Sequence, residues 1–160
     1  YIKLKNGTSI PVDKNTRPLF AYVPQGNMVL SGTIRENIVF AQDEADEGKI
    51  IESAKISAVW DFICSLPQGL DTVIGEKGLG LSEGQVQRIA IARAIYSDAP
   101  IILLDEATSA LDSETEKALL ENIKNMKEKT CIIVSHRKAA FEICRNGMAI
   151  KDGSFQNIKY

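Results

Sequence analysis

Aromatic residues make up only 6% of the chain, with a single tryptophan and a single histidine. The three cysteines, Cys64, Cys131 and Cys144, form no C-x-x-C pair and have no metal-ligand spacing. That excludes a disulfide scaffold and a zinc site, and buried, reduced thiols in a cytosolic compartment are expected instead. Neither sign of charge is in surplus: the net charge is −2, so no broad basic surface is available for DNA, RNA or anionic lipid. No apolar run approaches the roughly 20 residues of a membrane span, and the opening residues do not read as a signal peptide. Any membrane role is therefore expected to come through a partner. Internal repeats and low-complexity tracts are also missing.

What remains is an ordinary globular composition, 44% hydrophobic and 25% charged over 160 residues, enough for one domain with a sizeable core. Short alternating stretches at Tyr1 to Lys5 and Ser9 to Val12, broken by Asn6-Gly7, predict a hairpin. Phe20 to Val23 reads as a strand stopped by Pro24, with a loop over Gln25-Gly26-Asn27. Thr33 and Glu36 have capping-box spacing, so a short helix is expected there. The pattern from Asp46 to Leu66 is helical until Pro67, and Gly69 to Gly80 reads as a glycine-punctuated loop. Ser82 and Gln85 form a second capping box, opening a helix to Ser97 that is apolar nearly all round and so buried on most sides. Ile101 to Leu104 and Cys131 to Val134 are continuous apolar strands, as in a parallel sheet covered on both faces. Between them, Ser113 to Glu128 reads as a capped, charged surface helix. Met148 to Lys151 and Ser154 to Ile158 should pair across Asp152-Gly153. This order means an α/β fold with a parallel sheet and right-handed crossovers.

Ligands of open parallel sheets bind beyond the carboxyl ends of the strands, where Asp105, Glu106 and His136 all fall. Asp105 could hold Mg²⁺, Glu106 could orient or deprotonate a water, and His136 could donate to a phosphate oxygen. Each also has a plainer role. Two acids after a strand can be the solvated start of a loop, and a histidine there can be structural. Ser82 and Asp112 can be nothing more than helix caps, and Gln25 an ordinary loop amide.

Five stretches in order remove that ambiguity. Tyr22-Val23-Pro24-Gln25, then Leu81-Ser82-Glu83-Gly84-Gln85, Ile101 to Glu106, Ser109-Ala110-Leu111-Asp112 and Ser135-His136-Arg137 resemble the Q-loop, signature, Walker B strand, D-loop and switch histidine of an ABC transporter ATPase domain. Ser31 to Ile38 and Thr72 to Gly78 are similar to the exporter type, in which those regions face the transmembrane domains. The resemblance runs along essentially the whole chain.

It implies a P-loop NTPase-like parallel core sheet with a helical signature subdomain, and ATP and Mg²⁺ as cofactors. The implied catalytic residues are Glu106, His136 and Gln25, with Asp105 and Gln25 at the metal. Leu81, Ser82, Glu83, Gly84 and Gln85 would bind the ATP of a partner domain at a helix N-terminus, where free N–H groups favour an anion. Gly84 would let the backbone approach the γ-phosphate. Ser109, Ala110, Leu111 and Asp112 would cross the interface between two nucleotide-binding domains, identical or not. The other implied partner is a transmembrane domain, which places the chain at the cytoplasmic face of the plasma membrane; no nucleic-acid partner is implied. Residues 1–25 would close the N-terminal strands and Q-loop, 26–98 the helical subdomain, and 99–160 the rest of the core.

Two departures stand out. Glu83 occupies a position that is usually glycine, and is expected to point away from the phosphates. The sequence also contains no G-x-x-x-x-G-K-[ST] phosphate loop. By the resemblance Tyr1 falls just after the phosphate-loop helix, so the chain is expected to be a fragment that neither binds ATP tightly nor hydrolyses it alone. Its open sheet edges would then invite pairing with another chain. Two other readings stay open: a soluble ABC-type ATPase of DNA repair or chromosome maintenance, and a degenerate regulatory module.

Overall fold

The computed structural model describes residues 1–158, apart from 4–5, 27–28, 43, 76–79, 127 and 152. Antiparallel β1 (Ile2–Lys3) and β2 (Ser9–Ile10) form the expected opening hairpin, with Ile2 opposite Ile10. A 3₁₀ turn over Lys14–Leu19, boxed by Asp13 and Thr16, leads into β3 (Phe20–Val23). Next come β4 (Gly32–Thr33) and α1 (Ile34–Val39). Thr33 accepts from the Glu36 N–H while the Glu36 carboxylate accepts from the Thr33 N–H, the predicted box.

The helix predicted over Asp46 to Leu66 is two helices, α2 (Glu47–Ile56) and α3 (Trp60–Ser65). The chain breaks at Ala58, whose φ is +57°. Distant side chains make the break possible. Asn122 donates to the carbonyls of Lys55 and Ile56, and Arg88 donates to that of Ala58. The Lys55 carbonyl also accepts from the Ala58 N–H at 3.0 Å, so the side chains add donors to a helix end that the backbone turn has begun to satisfy. The predicted glycine loop also holds more order than expected: a 3₁₀ turn at Gly69–Asp71 and then β5 (Val73–Ile74), paired antiparallel with β4. Residues 76–79 of that loop, and so part of the exporter-like stretch ending at Gly78, lie outside the described residues, as does Asn27.

Helix α4 (Glu83–Tyr96) matches its prediction and organises the molecule. Being apolar nearly all round, it buries two sides at once. Val86, Ile89, Ala92 and Tyr96 pack with α1, α2 and α3, while Ala90, Ile91, Ala94 and Ile95 pack against the parallel strands. Those strands are β3, β6 (Ile101–Asp105) and β7 (Thr130–Val134), in the order β3-β6-β7, with Val23 beside Leu104 and Leu104 beside Ile133. Helix α5 (Ser113–Lys124) joins the second core through Leu119 and Ile123. It ends four residues before Glu128, and it is less of a surface helix than its charge suggests, since Glu116 is 3% exposed.

The sheet corrects a further expectation. Ile102 and Leu104 are buried on one face, but Tyr22, Ile132 and Val134 are largely exposed. Strand β7 is an edge strand rather than a buried one, and β6 is covered on one face. Alternate side chains face opposite ways, and the apolar core lies on the α4 and α5 side. After β7 come a short unpredicted helix, α6 (Lys138–Ile143), and the expected hairpin of β8 (Gly147–Lys151) and β9 (Ser154–Ile158). Cys131 and Cys144 are partly buried, but Cys64 is exposed, against the prediction.

Candidate functional site

Parallel strands put their carboxyl ends together, so β6 delivers Asp105 and Glu106 beside the Ser135-His136-Arg137 run that follows β7. The Glu106 N–H donates to the Val134 carbonyl at 2.9 Å, extending the ladder one residue past β6. Glu106 then turns sharply, with φ at +50°, a left-handed conformation that costs a side-chain-bearing residue about 1–3 kcal/mol. The turn brings its carboxylate to His136. Nδ1 of the imidazole lies 3.0 Å from both oxygens; the bond geometry favours Oε1. Oε2 is buried and has no hydrogen-bond partner among the described residues. Buried acceptors are rarely left unpaired, so this oxygen is suited to a water or another donor. The histidine side chain is 76% exposed and that of the glutamate 19%. The pair thus has a shielded acid and an open ring.

Asp105 accepts a hydrogen bond from the Tyr22 hydroxyl at 3.0 Å. That bond, then burial and the negative charge of Asp105, raise the tyrosine pKa above its usual 10.0. Sequence reasoning passed over Tyr22 as a strand residue. Its only signal was the register, which places Tyr22 beside Leu103, two residues from Asp105. Gln25, exposed, follows β3 at the same end of the sheet. Among the described residues no group of three or more His, Cys, Asp or Glu side chains comes together. A hard cation that keeps waters and binds phosphate oxygens needs no such cluster, and Asp105 is a carboxylate at this end of the sheet that could serve one.

The start of α4 is built as predicted but serves a second purpose. Ser82 Oγ accepts from the Gln85 N–H at 3.2 Å, and Gln85 Oε1 accepts from the Ser82 N–H at 2.8 Å. Leu81 packs on the first core, and Glu83 is exposed in the first turn. One demand for glycine at position 84 is visible within this chain. A Cβ there would sit 3.0 Å from the Ala110 carbonyl oxygen and 3.2 Å from a Leu111 methyl. The helix therefore abuts the turn of Ser109, Ala110, Leu111 and Asp112. Gln87, which is buried, spans the same seam: its Nε2 donates to Ser109 Oγ and its Oε1 accepts from the Ala110 N–H, both at 3.1 Å. Asp112 caps α5, accepting from the N–H groups of Glu114 and Thr115 and from the Thr115 hydroxyl. Those bonds hold its carboxyl below the ordinary 3.8.

Arg137 is the other residue whose role the sequence concealed. Its Nη1 donates to the carbonyls of Thr108 at 2.8 Å and Leu111 at 2.9 Å, and its Nε reaches Glu116 at 3.2 Å. Nothing local marks Glu116 as a buried partner; only the packing of α5 does.

This geometry has close parallels. The ABC transporter family model matches residues 2–109. A Haemophilus influenzae protein called "Probable ABC transporter ATP-binding/permease protein" is 45% identical over 152 residues, which cover 92% of this chain and 27% of that protein. An ATP-dependent lipid A-core flippase of Vibrio parahaemolyticus is 42% identical over 143 residues, covering 88% of this chain and 25% of the flippase. A solved bacterial Atm1-family ABC exporter with ATP bound superposes with a TM-score of 0.79 at 38% identity, over 86% of this chain and 24% of that one. The chain thus spans about a quarter of the length of the curated relatives it matches. The α/β core with its parallel sheet, the helical segment that carries Ser82 to Gln85, and the resemblance over nearly the whole length agree, and the chain belongs to the ABC transporter family.

Proposed function

We propose that this chain is the larger part of an ATP-hydrolysing domain in an exporter, working with a transmembrane domain and a second nucleotide-binding domain at the cytoplasmic face of the plasma membrane. The observation that carries this is the Glu106–His136 pair: a strained acid, one oxygen shielded and unpaired, held 3.0 Å from an exposed imidazole at the end of a parallel sheet. Glu106 would orient the attacking water and accept its proton at a carboxylate oxygen. His136 would donate to a γ-phosphate oxygen as charge collects there, while Glu106 holds its Nδ1 side. Asp105, with Gln25 nearby, would hold Mg²⁺, which when bound neutralises charge on the phosphates. Ser82 to Gln85 would meet the ATP of the second domain. Residues 26–98 would then form the arm carrying that signature, between an N-terminal part ending near 25 and the core of 99–160. Names of relatives that flip lipid or export support transport of this kind; the transported molecule is not encoded in these residues.

Hydrolysis then needs a phosphate loop, which these 160 residues do not contain. The test is ATPase activity of the chain joined to a segment bearing the Gly-Lys-Ser/Thr loop. Glu106→Gln should reduce the rate at least about 100-fold, the usual worth of a positioned general base, without weakening ATP binding. An unchanged rate would refute the role of Glu106. A rate that rises only with added DNA would favour the repair-type alternative.

A further inference from the structure

We propose that Tyr22 is a positioning residue for Asp105: its hydroxyl holds one carboxylate oxygen and leaves the other to a divalent cation. That Asp105 would serve such a cation rests on the reading above. The hold itself stands on geometry.

The strands make this contact possible by ending at different heights. Strand β3 pairs with β6 only as far as Val23 beside Leu104, because Pro24 has a fixed φ and no N–H to continue the ladder. Strand β6 runs one residue further, to Asp105, which pairs with Val134 of β7 but with no residue of β3. Tyr22 lies beside Leu103, and residues two apart on a strand share a face. The phenol and the carboxylate therefore project from the same side of the sheet, opposite the apolar core of Val23, Ile102 and Leu104. A diagonal neighbour two residues on is within reach of an aromatic side chain. The ring crosses that gap and donates its hydroxyl to Asp105 Oδ2 at 3.0 Å.

Strand formation alone does not call for the hydroxyl. Tyr22 is 56% exposed, and phenylalanine or valine would suit the strand as well. Among the described residues the phenol is the only side chain bonded to the Asp105 carboxylate, and no lysine, arginine or histidine pairs with it. No protein cation offsets the charge of Asp105, which leaves a hard oxygen ligand for a metal ion. The carboxylate torsion of a free aspartate is broad and roughly two-fold. A donor on Oδ2 breaks that symmetry and turns Oδ1 outward in one orientation. Partners that orient a metal ligand in this way are worth about 10–100-fold in metal affinity, and a bond this open to water belongs at the low end.

The probe is Mn²⁺ alone, added to the 160-residue chain without nucleotide. In the parent it should broaden the amide signals of Asp105, Glu106 and Val134. Tyr22→Phe keeps the ring and the strand, and should weaken that effect about tenfold. Asp105→Asn should abolish it whether residue 22 is tyrosine or phenylalanine. Before metal is added, Tyr22→Phe should also move the Asp105 carboxyl carbon-13 signal and average its side-chain couplings toward mixed rotamers. A role confined to packing would lower stability and leave both where they are. Equal Mn²⁺ affinity in parent and Tyr22→Phe would overturn the positioning role while leaving Asp105 as a cation ligand. Broadening that survives Asp105→Asn, or none in the parent, would overturn the cation assignment and the proposal with it.

Discussion

Gly48 and Gly84 occupy the same place in two different helices, and replacing each with alanine should have opposite effects. Each is the second helical residue, preceded by a glutamate and, before that, by a capping side chain, Asp46 or Ser82. Helix propensity favours alanine over glycine by about 0.5–1 kcal/mol at either site. The surroundings differ. A methyl on Gly48 would meet only the Asp46 carboxylate, at 3.4 Å, an ordinary contact. A methyl on Gly84 would meet the Ala110 carbonyl at 3.0 Å and Leu111 at 3.2 Å. That carbonyl cannot readily retreat, because Gln87 holds the Ala110 N–H and Arg137 the flanking carbonyls. Overpacking of this kind costs about 1–3 kcal/mol, which exceeds the propensity gain. Gly84→Ala should therefore be destabilised by about 1 kcal/mol net, and Gly48→Ala stabilised by about 0.5–1 kcal/mol. In a chain of this size that is a Tm change of about 2–4 °C in opposite directions. Thermal melts and urea titrations of the two variants decide it. If Gly84→Ala is stabilised as much as Gly48→Ala, the turn yields freely and the close packing of α4 on it has been misjudged.

The thiols should separate by reactivity. Cys64 is exposed, whereas burial, with Cys144 close by, pushes the Cys131 pKa from 9.0 up to about 12. At pH 8 the thiolate fraction of Cys131 should be about a thousandfold below that of an ordinary cysteine, so iodoacetamide followed by peptide mass mapping should label Cys64 first and Cys131 last. A folded-state pKa raised for an acid means that the folded state keeps its proton longer, so Cys131 adds to the loss of stability as pH climbs from 9 toward 12. Asp112 has the opposite sign. Its hydrogen bonds lower its pKa in the folded state, so the stability it lends is present above its ordinary 3.8 and is lost as pH falls below that. Asp112→Asn still caps α5 but carries no ionisable group, and its acid unfolding curve should be flatter than the parent's between pH 5 and 2.

Local chemistry was the part of the fold most legible in the sequence. Both capping boxes formed between the named residues, because such a box needs only three residues of spacing. Helix α4 was legible because its apolar run fits burial on two sides. The break at Ala58 was not, because it is held by Asn122, which bonds the Ile56 carbonyl 66 residues away, and by Arg88, which bonds that of Ala58 30 residues away in sequence. The one-sided sheet was hidden for a similar reason: Cys131 to Val134 reads as apolar whichever of its faces is covered. At the site, the residue types and order of Gln25, Ser82 to Gln85, Asp105, Glu106, Asp112 and His136 were plain. Their contacts were not. The strain at Glu106, the Tyr22–Asp105 bond and the hold of Gln87 and Arg137 on one turn depend on strand register and helix packing, which no local spacing records.

The most direct measurement is Mg-ATP binding by calorimetry, to the 160-residue chain and to the same chain joined to a segment carrying the Gly-Lys-Ser/Thr loop. We expect no tight binding by the chain alone and tight binding once the loop is present, since on the proposed reading these residues would supply the hydrolytic side of the site and not the phosphate cradle. Tight binding by the chain alone, or none by the joined form, would contradict the assignment of Asp105, Glu106 and His136 to half of an ATP site.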